Sequence, residues 1–343
     1  MFSTSAVCLY LLVPEIVDVF KSSNHLGRVD FRWAPVIIGA EVASFACIWA
    51  LQRITSRGAG WFVVITTHLA GNAFNRITPL GGVTGAALQA RMMADADIPT
   101  ATATSAMATQ SILGSVGLGA LPVLALPLLL ISGTRAPGGL IAATWVGAGV
   151  FVALLAIGVW LLSHRAPLGQ IGDKVDAAAS HLFRRHRSGI GDRLESERMV
   201  LRAVLGARWR MVAATSVGRW LFEYIALLAI LIAIGARPDP LLVLYALIVA
   251  ALMNLIPLTP GGLGLVELGL TGSLLAAGVA APAALLATFV FRIVSFWLPL
   301  PIGAAAAYVF RTRYPRGANL GVISVEGTVG VDAGGSGLLR SAV

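Results

Sequence analysis

The chain has 343 residues, 57% of them hydrophobic and 12% charged, with a net charge of +9, whereas soluble domains run at about 45–50% apolar and about 25% charged. A soluble all-α core is excluded because its helices would need polar outer faces, and a β-barrel because its strands would alternate over segments of roughly ten residues. The basic balance does not mark a nucleic-acid surface either, since the main basic stretch carries no aromatics beyond Phe183 and Trp209; membrane topology and anionic lipid headgroups account for it.

Residues 4–20 form a short apolar run that already contains Glu15 and Asp18 and has no basic residue before it, a poor secretory signal and the expected remnant of a longer first helix. Continuous apolar runs follow at 33–52, 61–78, 98–133, 138–163, 211–235, 240–258, 263–280 and 282–310. Most can span a hydrocarbon core of ~30 Å at ~1.5 Å per residue. The run 98–133 would measure ~54 Å as one helix, so a break is expected among Gly114, Gly117 and Gly119. The expected architecture is an all-α polytopic membrane protein with eight or nine hydrophobic helical segments.

Ten of the 25 basic residues fall in 164–210: Arg165, Lys174, Arg184, Arg185, Arg187, Arg193, Arg198, Arg202, Arg208 and Arg210. Lys and Arg are retained on the cytoplasmic side, so this loop is expected there, with the tail that opens on Arg311, Arg313 and Arg316. The organisation predicted is an N-terminal set of membrane helices (1–163), a basic linker (164–210), a C-terminal set (211–310) and a disordered Gly-, Ser- and Val-rich tail (311–343). Cys8 and Cys47 have no metal-ligand or redox spacing, and no cofactor is expected.

An internal repeat appears at an offset of about 180 residues. "NRITPLGGVTGAAL" (75–88) falls on "NLIPLTPGGLGLVEL" (254–268), "ADIPTATATSAMATQSI" (96–112) on "AGVAAPAALLATFVFRI" (277–293), and Glu41 on Glu223. Repeats with helices broken near the bilayer midplane are how many transporters build binding sites.

The broken-helix signature is Thr-Pro followed by Gly-Gly. Thr259 suits an N-cap and Pro260 the first helical position, and Thr78 with Pro79 repeats the signal, so helices are predicted to start there. The glycines carry two readings. Gly269, Gly272 and Gly278 suit close helix packing without a hydrophobic drive. Gly261 and Gly262, with Gly81 and Gly82 in the first copy, either pack in the same way or leave first-turn N–H groups open to a phosphate. The spacing is not that of a Rossmann or P-loop fingerprint.

Charges inside apolar segments cost ~2.5–3.5 kcal/mol or more unless paired or wetted. Glu267, read as about two turns into its helix, has Arg292 on the next segment as its natural partner. Arg219 and Glu223 are spaced to pair along one helix, while Arg76 and Glu41 have no local partner and His68 is a lone membrane histidine. Thr78, Gly81, Gly82, Arg76, Arg219, Glu223, Thr259, Gly261, Gly262, Glu267 and Arg292 are the candidate headgroup-binding residues.

"PGGLGLVELGL" followed by "LLATFVFRIVSFWLPLPIG" resembles the second-half signature of the lysylphosphatidylglycerol synthase transmembrane family, the flippase-like region of multiple-peptide-resistance proteins. The resemblance runs from about 33 to 310 and is most specific at 257–303. It implies that Glu267 and Arg292 line a lipid pathway. The first copy departs from the pattern: no Glu follows its Gly pair closely, and Gln110-Ser111 stands where an acidic-basic pair is common. The resemblance also implies that synthase activity, carried in relatives by a soluble C-terminal domain, is absent here.

The function implied is translocation of a phospholipid or related anionic or aminoacylated lipid across the inner membrane. A membrane enzyme or accessory subunit in polyprenyl-linked glycolipid synthesis is the rival. Its chemistry would want paired acids, and Asp95 with Asp97 or Glu195 with Glu197 read as solvated loop charges. A scaffold for a separate lipid-modifying enzyme is the third reading, and it would not need charges in the bilayer. Membrane lipids are the expected partners and nucleic acid is not; the oligomeric state is left open.

Overall fold

The computed structural model describes residues 30–56, 59–78, 81–131, parts of 145–160, 190–255 and 259–315. The N-terminal run, Cys8, Pro79, most of the basic linker and the tail beyond Pro315 lie outside the described residues. Among them the secondary structure is helical, without strands, and ten α-helices have defined bounds: α1 Ala34–Thr55, α2 Trp61–Ile77, α3 Gly81–Asp95, α4 Thr100–Gly119, α5 Leu121–Ile131, α6 Ile190–Ala233, α7 Pro240–Leu255, α8 Leu265–Ala276, α9 Ala281–Arg292 and α10 Pro299–Arg313. The protein is an all-α polytopic membrane protein. Among the described residues, four stretches are long and apolar enough to cross a bilayer: Phe31–Thr55, Thr100–Pro127, Arg208–Ala233 and Ala281–Arg313.

Local chemistry explains the ends. Asp239 accepts the Leu241 N–H at 2.8 Å and Pro240 takes the first turn of α7, where a missing N–H costs nothing. α6 stops at Gly235 with φ +84°, where Ala236 N–H returns to Leu231 O at 2.9 Å. The long run at 98–133 is interrupted at Ala120, directly after Gly119.

The repeat is visible in the element order. Each half has a long helix, then two short helices folded back on each other, then a long interrupted segment: α1, α2–α3 and α4–α5 against the membrane part of α6, α7–α8 and α9–α10. The short helices have 17, 15, 16 and 12 residues, ~18–26 Å each, less than a ~30 Å core. The halves are interleaved. α1 packs along α6, and α10 packs on α2, where Gly303 lies so close that an added Cβ would meet the Leu69 carbonyl and the Ala73 methyl. One buried cluster joins α6, α7, α8 and α9 around Leu227, Leu247 and Leu270; a second joins α2, α3, α4 and α10 around Val64, Met93 and Phe310.

Two expectations about the second break are corrected. The second broken helix does not start at Thr259-Pro260: Pro260–Gly262 is a 3₁₀ turn, and α8 begins only at Leu265. Gly261, Gly262 and Gly264 have φ of +61°, +69° and +86°, positive values on either side of Leu263 that do not fit a right-handed helix. In the first copy Thr78 closes α2; its hydroxyl donates to Phe74 O at 2.8 Å. Glu267 is therefore in the first turn of α8, not two turns in. Of the linker, residues 190–207 are helical and run into the membrane helix across a kink at Arg208. The run at 282–310 also breaks. Leu298 N–H bonds back five residues to Ile293 O at 2.8 Å, a π turn ahead of Pro299, which has no N–H to offer.

Candidate functional site

The two breaks touch. α2 ends against the turn Pro260–Gly262, and an added Cβ on Gly261 would sit 3.2 Å from the Arg76 carbonyl and collide with the Phe296 ring. The chain crosses here without side chains between the backbones, which only glycine permits. Polar residues that neither half could bury alone collect around the junction.

Two adjoining cavities lie beside it, of about 430 and 210 Å³. Asn72, Asn75, Arg76, Arg219, Glu223 and Asn254 line both, so the two are lobes of one polar space. The larger lobe extends to Glu41, His68 and Gln110, and the smaller to Gly261, Arg292 and Phe296. Such a volume suits a small headgroup.

The charges are organised by the break. Glu267 accepts the Gly264 N–H at 2.7 Å through Oε2 and the Arg292 Nε–H at 2.5 Å through Oε1, so one carboxylate both caps α8 and holds the arginine. Arg292 Nη2 also donates to Gly261 O at 3.2 Å, tying α9 to the turn. With the pair's side chains 7% and 20% exposed, these hydrogen bonds are what make the burial of two charges tolerable. Arg219 and Glu223 pair within α6 at 3.4 Å, with the guanidinium 4.7 Å from the Trp220 ring centroid. Arg76 donates Nε–H to Asn72 Oδ1 at 3.0 Å and, among the described residues, is in ion-pair distance of no carboxylate. It lies over Phe296, as Arg292 does.

Of the sequence-predicted residues, Arg76, Arg219, Glu223, Gly261 and Arg292 line the space, and Glu267 stands directly behind Arg292. Gly81 and Gly82 open α3. Thr78 is spent on α2 and on a 2.6 Å hydroxyl contact with Thr84, and Thr259 Oγ1 is buried without a partner among the described residues. The Gly262 N–H is bonded to Thr259 O at 3.1 Å and the Gly264 N–H to Glu267, so these two amides of the turn are not open to a phosphate. Glu41, Asn72, Asn75, Asn254, Ser295 and Phe296 were not predicted. Asn75 and Asn254 carried a usable signal, since the repeat superposes them and a carboxamide in an apolar helix is costly without a role.

Comparison with known proteins agrees with this architecture. A family profile described as "Lysylphosphatidylglycerol synthase TM region" matches residues 2–303. The chain is 26% identical over 319 residues to a UPF0104 membrane protein of Methanothermobacter thermautotrophicus, covering 89% of this chain and 92% of the relative. Another alignment to a UPF0104 membrane protein of that organism is 36% identical over 97 residues, 28% of this chain and 27% of the relative. A protein named Glycosyltransferase AglD, from Haloferax volcanii, is 31% identical over 150 residues, 42% of this chain and 23% of that protein. No solved structure matches the chain.

Proposed function

The chain belongs to the lysylphosphatidylglycerol synthase transmembrane-region family, and we propose that it is a lipid translocator that carries a phosphate-bearing headgroup through the space between its two halves. One observation carries this reading: a polar space lies where the helix breaks of the two repeats meet, and three arginines from three different helices line it. A charged headgroup crossing a hydrocarbon core needs a substitute for its hydration, and fixed guanidinium and carboxamide groups supply one. Arg76 is the primary phosphate contact because Arg219 and Arg292 are held by Glu223 and Glu267. The acyl chains stay in lipid, since the outer faces expose Val36, Val42, Leu221 and Leu285.

The protein is proposed to lie in the plasma membrane with its arginine-rich end cytoplasmic. Arg53 stacks on Trp61 and Arg313 on Phe62, so the end of α1, the start of α2 and the end of α10 meet at one face. Leu51 and Ile54 of α1 pack with Val212, which places Arg208 and Arg210 at that end as well. This asymmetry supports the orientation.

The likeness to a protein named as a glycosyltransferase favours a second reading, in which the chain is a membrane subunit handling a polyprenyl-linked glycolipid. Reconstitution separates the two. In liposomes with fluorescent phosphatidylglycerol in both leaflets, the translocator exposes the inner-leaflet pool to dithionite, and Arg76→Gln abolishes this. A protein that inserts, folds and leaves every phospholipid in place is not a translocator of these lipids.

A further inference from the structure

We infer that Glu41 carries a proton in the translocation step: its carboxylate takes one up when a phosphodiester headgroup settles on Arg76 and gives it back when the headgroup leaves. This rests on the translocator reading. Glu41 lines the larger lobe and is 7% exposed. Among the described residues its Oε2 has no hydrogen-bond partner, and no cationic side chain lies within ion-pair distance of it. Glu223 and Glu267 each have an arginine, so Glu41 is the carboxylate whose burial no local contact offsets.

Charge balance gives it a task. α1 packs on α6, which brings Arg219 and Glu223 to the lobe, and on α2, which brings His68 and Arg76; the other elements packed on α1 bring no titratable side chain there. With His68 neutral, two guanidiniums and two carboxylates cancel, so the space without a headgroup is balanced with Glu41 ionised. A phosphodiester on Arg76 adds one negative charge, and an uncompensated charge is costly in a membrane interior. Protonating Glu223 would sacrifice its ion pair with Arg219, whereas protonating Glu41 breaks none.

The lobe also supplies the route. His68 Nδ1 and Nε2, Gln89 Oε1, Gln110 Oε1 and Ser216 Oγ belong to its lining residues and are buried without partners among the described residues. Buried polar atoms of this kind are satisfied by water, and a hydrated lobe passes a proton to and from Glu41. Each anionic headgroup then crosses with one proton, and a pH difference across the membrane biases the direction of transport.

The test is titration calorimetry on the full chain in non-ionic detergent with dihexanoyl phosphatidylglycerol, whose phosphodiester stays ionised throughout. Proton uptake is read from the binding heats in buffers of different ionisation enthalpy. Between about pH 5 and 9, wild type should take up close to one proton per lipid bound, so that Kd rises with pH by up to about tenfold per unit. Glu41→Gln, which mimics the protonated form, should bind without uptake and hold the wild-type acid-limit Kd at every pH. Glu41→Asp should restore the uptake, and His68→Gln should keep it. Uptake that persists in Glu41→Gln overturns the inference, and so does wild-type binding with no uptake, whether or not the variants fold. If that binding is still lost in Arg76→Gln, the translocator reading survives alone; if phosphatidylglycerol does not bind at all, both fall.

Discussion

Arg76 and Arg292, one from each half of the chain, lie against the same phenyl ring: their guanidinium carbons are 4.9 and 4.1 Å from the centroid of Phe296. Two like charges gathered at one ring in a membrane interior are repulsive unless the ring and a nearby anion hold them. Glu267 supplies the anion for Arg292, so the ring matters most for Arg76. A desolvated cation–π contact contributes about 1–2 kcal/mol, so Phe296→Leu should lower headgroup binding by about fivefold to thirtyfold with a small change in thermal stability. Phe296→Tyr keeps the π face and should bind within a few-fold of wild type. Equal losses in both variants would show that the ring acts by shape alone.

The double duty of Glu267 ranks its substitutions. Glu267→Leu removes the cap on α8 and the partner of Arg292, leaving a buried guanidinium without its counter-charge, a loss of ~3–5 kcal/mol. Glu267→Gln keeps an oxygen for the Gly264 N–H and should destabilise less. Exchanging the charges, Glu267→Arg with Arg292→Glu, restores the ion pair on paper but puts a donor where the Gly264 N–H needs an acceptor. Melting in detergent should therefore order wild type above Gln, and Gln above both Leu and the exchange. An exchange as stable as wild type would mean the cap contributes nothing.

The proposed orientation can be tested by labelling. Cysteine at Ser188 should resist an impermeant thiol reagent added to intact cells, and Arg237→Cys, in the exposed turn between α6 and α7, should react. The reverse pattern would invert the orientation.

The apolar runs, the repeat and both ion pairs were legible in the sequence because each rests on a strong local cost. An unpaired Arg292 or Glu223 in lipid is too expensive to be incidental, and thirty apolar residues have few other uses. The helix start at Thr259-Pro260 was misread because a good cap signal met a stronger constraint: glycines in left-handed conformation hold the chain out of a helix until Leu265. The pairing of Arg76 with Phe296 was not legible, since Phe296 sits in the π turn between α9 and α10, and π turns have no sequence period. Nor was Glu41's place in the same space as Arg76 and Arg219, which arises from the packing of α1 on α6.

The glycines of the turn separate backbone strain, steric collision and access to a ligand. All three positive-φ positions should lose about 1–2 kcal/mol on substitution by alanine, the cost of a Cβ in the left-handed region. Gly264 has open space around its Cβ position, so Gly264→Ala should show that cost alone, with headgroup binding per folded molecule unchanged. Gly261→Ala adds a collision with Phe296 and pressure on the Arg76 carbonyl, so stability and binding should fall together. Gly262→Ala pushes on Val266 and on Asn254 Oδ1, 3.0 Å away, and should destabilise more than Gly264→Ala. The phosphate-approach reading orders them otherwise: a methyl at Gly262 would block the ligand and leave the fold intact. Thermal melting and phosphatidylglycerol binding, measured on the same preparations, decide between the two. Full stability with binding abolished in Gly262→Ala would return that glycine to the anion site; loss of stability first assigns it to the backbone.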